Sequence, residues 1–283
     1  MGFLLIFLII LSIVIQNTAK KHYNILVNNK GIYTYHCIMT FVAMLFFIIT
    51  NKGNLEFKLS LLPYSITFAI SFTSALLFSF LSIRDGSLSL TSLATSYSLI
   101  LPTIFGLVFN GEPIKVELII GIILLMVAIF FINSKKTYTK ITAKWCIYVF
   151  LAFLSNGISP IIQTLYETRF SGKYINELMI LALFLSFVFF LIMTIINEKN
   201  EAINLIKKGS VTMILSGITN GATNLFVMLV IGLAASSIVF PVISAGTIIL
   251  TILISVFIYK EKFAPKQIVG LILGIAAVVF LNI

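Results

Sequence analysis

Two stretches of this chain gather carboxamides and hydroxyls at helical spacing inside otherwise apolar sequence. In the first, Asn156, Ser159 and Gln163 are three and then four residues apart, so they share one helix face. In the second, Ser216, Thr219, Asn220, Thr223 and Asn224 cluster in the same way. A carboxamide has both donor and acceptor, so it can hold a carboxylate or an ammonium without a net charge of its own. That is the chemistry of binding a small polar or zwitterionic solute. The same groups also tie helices together by interhelical hydrogen bonds. For a single Ser or Thr the tying role is favoured. For Asn156, Gln163, Asn220 and Asn224 the two roles stand about even, because an amide is costlier than a hydroxyl to bury in lipid. Gln16, Ser74, Thr95 and Tyr97 are further polar candidates in other apolar stretches.

Other chemistries find little to work with. There is no nucleotide-binding loop, no metal-ligand spacing and no nucleophile triad, so neither an enzyme nor a cofactor is expected. Cys37 and Cys146 lie within or at the edge of apolar segments and form no disulfide framework. His22 and His36 have no carboxylate near them in sequence and receive no role.

Composition sets the surroundings of these residues. The 283 residues are 60% hydrophobic and 10% charged, with mean hydropathy +1.13; soluble domains carry roughly 25% charged residues. Apolar runs of about 18 residues or more recur from end to end, which predicts a polytopic helical membrane protein in contact with the lipid bilayer. The net charge of +10 is spread over short loops rather than gathered on one face, so nucleic acid is not an expected partner.

The spacing predicts ten spans, at about residues 2–19, 32–50, 61–83, 87–109, 115–133, 145–166, 175–196, 210–232, 236–258 and 265–282. The run Phe3–Ile15 has no basic start and no small-residue cleavage site, so it reads as the first span rather than a signal peptide. Pro102, Pro160 and Pro241 fall inside spans 4, 6 and 9 and are candidate hinges, since each removes a backbone hydrogen bond. Glu112 and Glu261 stand just before spans 5 and 10 and are expected to cap them.

The stretch from Glu112 to Asn133 recurs as Glu261 to Asn282. Eight of 22 positions are identical, including Gly121 with Gly270. The chain therefore divides into residues 1–133, a basic linker 134–144, and residues 145–283. Five spans per half is odd, so the second half must enter the membrane upside down relative to the first: an inverted repeat. Odd-numbered loops carry 14 Lys and Arg, and even-numbered loops carry 5. The excess places odd loops in the cytoplasm and both termini outside. The pairs Gly217/Gly221 and Gly270/Gly274 allow close helix packing within a monomer, and leave a homodimer open.

These features resemble the drug/metabolite transporter superfamily, in its ten-helix EamA-type branch. The similarity rests on Glu followed nine residues later by Gly, once per half. It rests also on Gly86-Ser-Leu-Ser-Leu-Thr-Ser92 and on Ser236-Ser-Ile-Val-Phe-Pro241. The resemblance implies export or exchange of small metabolites at the cell membrane, through a cavity lined by spans 1, 3, 4, 6, 8 and 9. It also implies both termini inside, against the loop count. Small four-helix relatives that expel cationic drugs carry a glutamate in mid-helix 1. Here that region reads Ile10-Leu-Ser-Ile-Val-Ile-Gln16, and no charged residue falls clearly in the middle of any span. The expected substrate is a neutral or zwitterionic metabolite, with amino acids first. The alternatives are a nucleotide-sugar or phosphorylated-metabolite antiporter, which needs cations facing the cavity, and a membrane-embedded enzyme or lipid scramblase.

Overall fold

Apolar runs of this length have no hydrogen-bond partner in lipid except their own backbone, so they fold as helices. The computed structural model describes residues 2–28, 30–51, 55–85, 97–111, 116–132, 142–257 and 265–281. Among these residues the α-helices are α1 (Gly2–Leu26), α2 (Ile32–Thr50), α3 (Leu62–Asp85), α4 (Ile100–Phe109), α5 (Val116–Ile132), α6 (Ala143–Phe170), α7 (Ile175–Asn197), α8 (Ala202–Ile231), α9 (Ser236–Phe257) and α10 (Pro265–Leu281). A short 3-10 turn, Leu59–Leu61, leads into α3. Six of the helices, α1–α3 and α6–α8, are long and apolar enough to cross a membrane, and the other four are shorter apolar helices. Large apolar side chains such as Ile49, Ile70, Ile196 and Val211 point outward. In water such a surface would associate; in a bilayer it faces lipid.

Helix boundaries differ from the hydropathy reading in several places, among them a turn at Ser98 and Leu99 inside the span read as 87–109. α1 continues through Lys20, Lys21 and His22 to Leu26, and α8 begins at Ala202 rather than near residue 210. Polar residues satisfy helix geometry as well as apolar ones do. Hydropathy marks where the membrane starts, not where the helix ends. The early turns of α8 show this, with Lys207 and Lys208 exposed while Leu205 and Gly209 pack inward. Several sequence expectations lie outside the described residues: Thr95, the motif from Gly86 to Ser92, Glu112 and Glu261, and linker residues 134–141.

The helices pair mainly across the two halves of the sequence. α1 packs on α8 and α3 on α6; α2 lies along α7, α5 along α10 and α4 along α9. α2 also meets α8, as α3 meets α7. Exchanging each of the first five helices with the helix five later maps this set of contacts onto itself. The largest buried cluster, with Phe47, Phe68, Tyr166, Leu178 and Leu183, is drawn chiefly from α2, α3, α6 and α7, with Leu61 and, from α8, Met228 added. Small residues permit the closest approaches. A Cβ on Gly217 would stand 2.8 Å from the Met39 carbonyl oxygen, and one on Gly221 would meet Phe46 at 2.7 Å. This glycine pair therefore packs α8 onto α2 within the monomer. Gly274 of α10 likewise faces Ala128 of α5.

The connection between the first two helices of each half carries left-handed residues at two corresponding positions. Asn28 and Ser171 are left-handed, with φ of 53° and 48°, and so are Gly31 and Tyr174, with φ of 70° and 64°. In each case a tyrosine near the end of the preceding helix donates its hydroxyl to a carbonyl of the turn, Tyr23 to Gly31 and Tyr166 to Lys173.

α2 and α7 run antiparallel and are clasped at both ends. At one end the Glu198 carboxylate accepts from Tyr33 N, Thr34 N and Thr34 Oγ1 at 3.2, 2.8 and 2.7 Å, capping α2. Lys30 pairs with Glu201 at 3.4 Å beside it. At the other end Asn176 Nδ2 donates to Asn51 Oδ1 at 2.8 Å, and buried Glu177 accepts from Glu56 N. There Lys58 donates to the Tyr174 hydroxyl and lies 4.4 Å from its ring centroid. That hydrogen bond holds the ammonium above its ordinary range.

Candidate substrate-binding site

The two amide-bearing faces meet. α6 and α8 pack so that Gln163 Nε2 donates to Asn224 Oδ1 at 3.1 Å. Asn224 Nδ2 in turn donates to the Asn220 carbonyl at 3.0 Å and to Asn220 Oδ1 at 3.2 Å. The result is a chain of three carboxamides, with Gln163, Asn220 and Asn224 all buried. One turn along α8, the buried Thr223 hydroxyl has no partner among the described residues. The chain is polarised. Read in the donor direction it begins with the Gln163 carbonyl oxygen free to accept and ends with the Asn220 NH₂ free to donate.

The other members of the α6 face turn towards α3. Ser159 Oγ lies 2.9 Å from Ser71 Oγ, and Asn156 Nδ2 donates to Ser79 Oγ at 3.3 Å and to the Ala152 carbonyl at 2.8 Å. α6 thus carries a polar stripe between α3 and α8. Pro160 lies within that stripe, inside the helix. It frees the Asn156 carbonyl four residues earlier. Pro241 is inside α9 and brings no N–H to that helix. Pro102 is not in a helix interior. It is the third residue of α4, where an N–H would have no intrahelical acceptor.

The remaining candidates separate from this group. Tyr97 donates its hydroxyl to the Met126 carbonyl of α5 at 2.6 Å and packs with Leu125, Ala245 and Ala277, away from the amides. Gln16 of α1 reaches only the Met39 sulfur, at 3.6 Å. Ser74 is partly buried on α3. Two polar contacts escaped the sequence reading. The Tyr35 hydroxyl and Ser216 Oγ are 2.5 Å apart between α2 and α8, and Thr164 Oγ1 and Ser236 Oγ are 3.3 Å apart between α6 and α9. Of these, only Ser216 stood in a cluster that spacing could reveal.

Residues 143–283, from α6 to the end, match the EamA-like transporter family. By this second half the chain belongs to the EamA-like transporter family. It is accordingly a multi-pass membrane protein of the drug/metabolite transporter type, and the polar stripe of α6 lies within the matched region. No curated protein matches the chain. A solved structure described only as a crystal structure of a protein superimposes with a TM-score of 0.79 at 11% identity, covering 99% of this chain and 95% of the other. That likeness extends the shared fold over both halves of this EamA-like chain and speaks of fold alone.

Proposed function

We propose that the protein is a secondary-active exporter or exchanger of small neutral or zwitterionic metabolites, amino acids first among them. It works by alternating access between two inverted five-helix halves, residues 1–133 and 145–283, in the cell membrane. The observation that carries the substrate class is the polarised chain Gln163–Asn224–Asn220. An amino acid presents an ammonium that needs acceptors and a carboxylate that needs donors. The chain offers one at each end, without a fixed charge that would favour a purely anionic or cationic solute. Asn156 and Ser159 continue the binding face towards α3, and Ser74 and Gln16 belong to its wider surround.

The inverted repeat is supported by the contact pattern, which survives exchange of the halves, and by the matching left-handed turns at Asn28/Ser171 and Gly31/Tyr174. A two-fold axis in the membrane plane relates such repeats, and solute sites lie between them. Pro160 and Pro241 supply the weakened backbone that rocking halves require. The loop charge count puts the end bearing Lys30 and Glu201 in the cytoplasm and both termini outside.

Uptake into proteoliposomes from a panel of amino acids, sugars, nucleotides and polyamines tests this. Saturable amino-acid flux lost in Gln163→Ala and Asn220→Ala is the expected result. Flux confined to phosphorylated compounds would sink the substrate class, and wild-type flux in both variants would sink the site.

A further inference from the structure

His36 is a buried titratable side chain for which the transport reading has no use. It lies on α2 at 1% exposure, and neither Nδ1 nor Nε2 has a hydrogen-bond partner among the described residues. A neutral imidazole has one donor and one acceptor. Burying both unmet is unfavourable, so this arrangement must be compensated by its surroundings. Those surroundings are aromatic: Phe190 of α7 lies 5.2 Å from the ring, and Tyr35 meets it edge-on at 5.3 Å. The imidazole is therefore clamped in the α2–α7 interface. One turn nearer the loops, at Tyr33 and Thr34, the Glu198 carboxylate closes the same interface. Against that clasp lies a cavity of about 500 Å³ lined by Lys30, Tyr33, Phe80, Asn197, Lys199 and Asn200.

We propose that His36 is a proton-binding site of the transport cycle. It is neutral while α2 and α7 are closed on it. It takes a proton when they part at the Glu198 end and water from the cavity reaches the ring. This rests on the alternating-access reading, since α2 and α7 come from opposite halves. Imidazole is the side chain whose ordinary titration falls between pH 5 and 8, and an ionisable group inside a span marks ion or proton pathways. The ionisable groups around it are few. α1 brings Lys20, which acts on it electrostatically, and Tyr23, whose ring lies tilted at 41° to that of Tyr35 with centroids 4.7 Å apart. α2 itself adds Tyr35 and Cys37, and the end of α7 adds Glu198. α8 carries only Lys207 and Lys208, both exposed.

The chain holds two histidines and two cysteines, which makes the test direct. Protein with ¹⁵N,¹³C-labelled histidine is placed in lipid nanodiscs and titrated by NMR from pH 5 to 8, with exposed His22 as reference. Maleimide labelling of buried Cys37 is read by mass spectrometry as a ratio to exposed Cys146, which cancels the reagent's own pH dependence. The expected result is an imidazolium population of His36 that grows on acidification. The Cys37/Cys146 ratio rises with it, by up to about tenfold per pH unit, the limit for one linked proton. In His36→Gln the ratio is flat. A His36 resonance that stays neutral throughout overturns the proposal, whether or not the variant folds. So does a wild-type ratio that does not change with pH. Amino-acid flux with a pH-silent His36 removes this inference alone, whereas a titrating His36 without flux of any solute removes the transport reading.

Discussion

Gln163 and Asn224 are joined head to tail across the α6–α8 interface, at 3.1 Å and with both side chains buried. Neither amide can be removed without leaving the other short of a partner. The pair is thus both a structural tie and the most concentrated hydrogen-bonding capacity in the apolar interior. The two roles separate by experiment. Asn224→Ala and Gln163→Ala each leave a buried amide unsatisfied, at about 1–3 kcal/mol. If the pair also binds solute, the KM for amino-acid uptake rises by about tenfold or more, the equivalent of 1.4 kcal/mol. A drop in melting temperature with KM unchanged would assign the pair to structure alone.

Glu198 caps a helix that follows it neither in sequence nor in its own half. It accepts three hydrogen bonds from the start of α2. Glu198→Ala is expected to destabilise the protein by about 1.5–3 kcal/mol, the range for hydrogen bonds to a charged group. Glu198→Gln, which still accepts, loses less. Thermal unfolding in detergent ranks the three proteins, and an alanine variant as stable as wild type refutes the clasp.

Gly217 marks the tightest approach of α8 to the α2 backbone. A methyl there would stand 2.5 Å from Val42 Cβ and 2.8 Å from the Met39 carbonyl oxygen. Gly217→Ala is therefore expected to cost about 1–3 kcal/mol through overpacking. Gly2→Ala, with nothing within 4 Å, serves as the neutral control. Folded yield and melting temperature measure the difference, and equal values for the two variants would contradict the packing.

The two clasps of the α2–α7 pair lie at opposite ends, so they must lie on opposite sides of the membrane. With Cys37 and Cys146 both replaced by Ser, single cysteines at Lys30 and Glu201 are expected to react with an impermeant maleimide from the cytoplasmic face. Cysteines at Lys58 and Asn176 are expected to react from the outer face. All four labelled from one side would break the fold's geometry, and the reverse assignment would refute only the orientation.

Pro160 frees a carbonyl in the middle of the polar stripe, and Pro241 likewise lies inside a helix, α9, without an N–H to donate. If they are hinges, Pro160→Ala and Pro241→Ala lower the maximal flux several-fold and leave KM in place, because conformational steps limit turnover. Unchanged flux in both variants would reduce them to packing kinks.

The spans were legible because lipid imposes a length and a polarity on every crossing. Their ends were not, because Lys20 or Lys207 continues a helix into water without any break in backbone bonding. The face holding Asn156, Ser159 and Gln163 was legible from its three-and-four spacing. Tyr97 illustrates the converse. Its place in the sequence suggested the cavity, yet its hydroxyl turns to Met126 on α5, and nothing local to Tyr97 determines which neighbour it finds.

By itself, the sequence determined that this is a helical membrane protein, that Glu112–Asn133 recurs as Glu261–Asn282, and that two carboxamide faces exist. The hydrophobic effect and helical periodicity act along the chain, so their signals can be read along it. The tertiary structure decided which faces meet. It joined Gln163 to Asn224, brought Glu198 to the first turn of α2, and buried His36 against Phe190. It also revealed a second correspondence between the halves, at Asn28/Ser171 and Gly31/Tyr174, where different residues are left-handed at matching positions. A left-handed turn constrains φ and ψ, not the side chain. Contacts between residues some 60 to 165 positions apart depend on how the helices pack, and no local pattern records that.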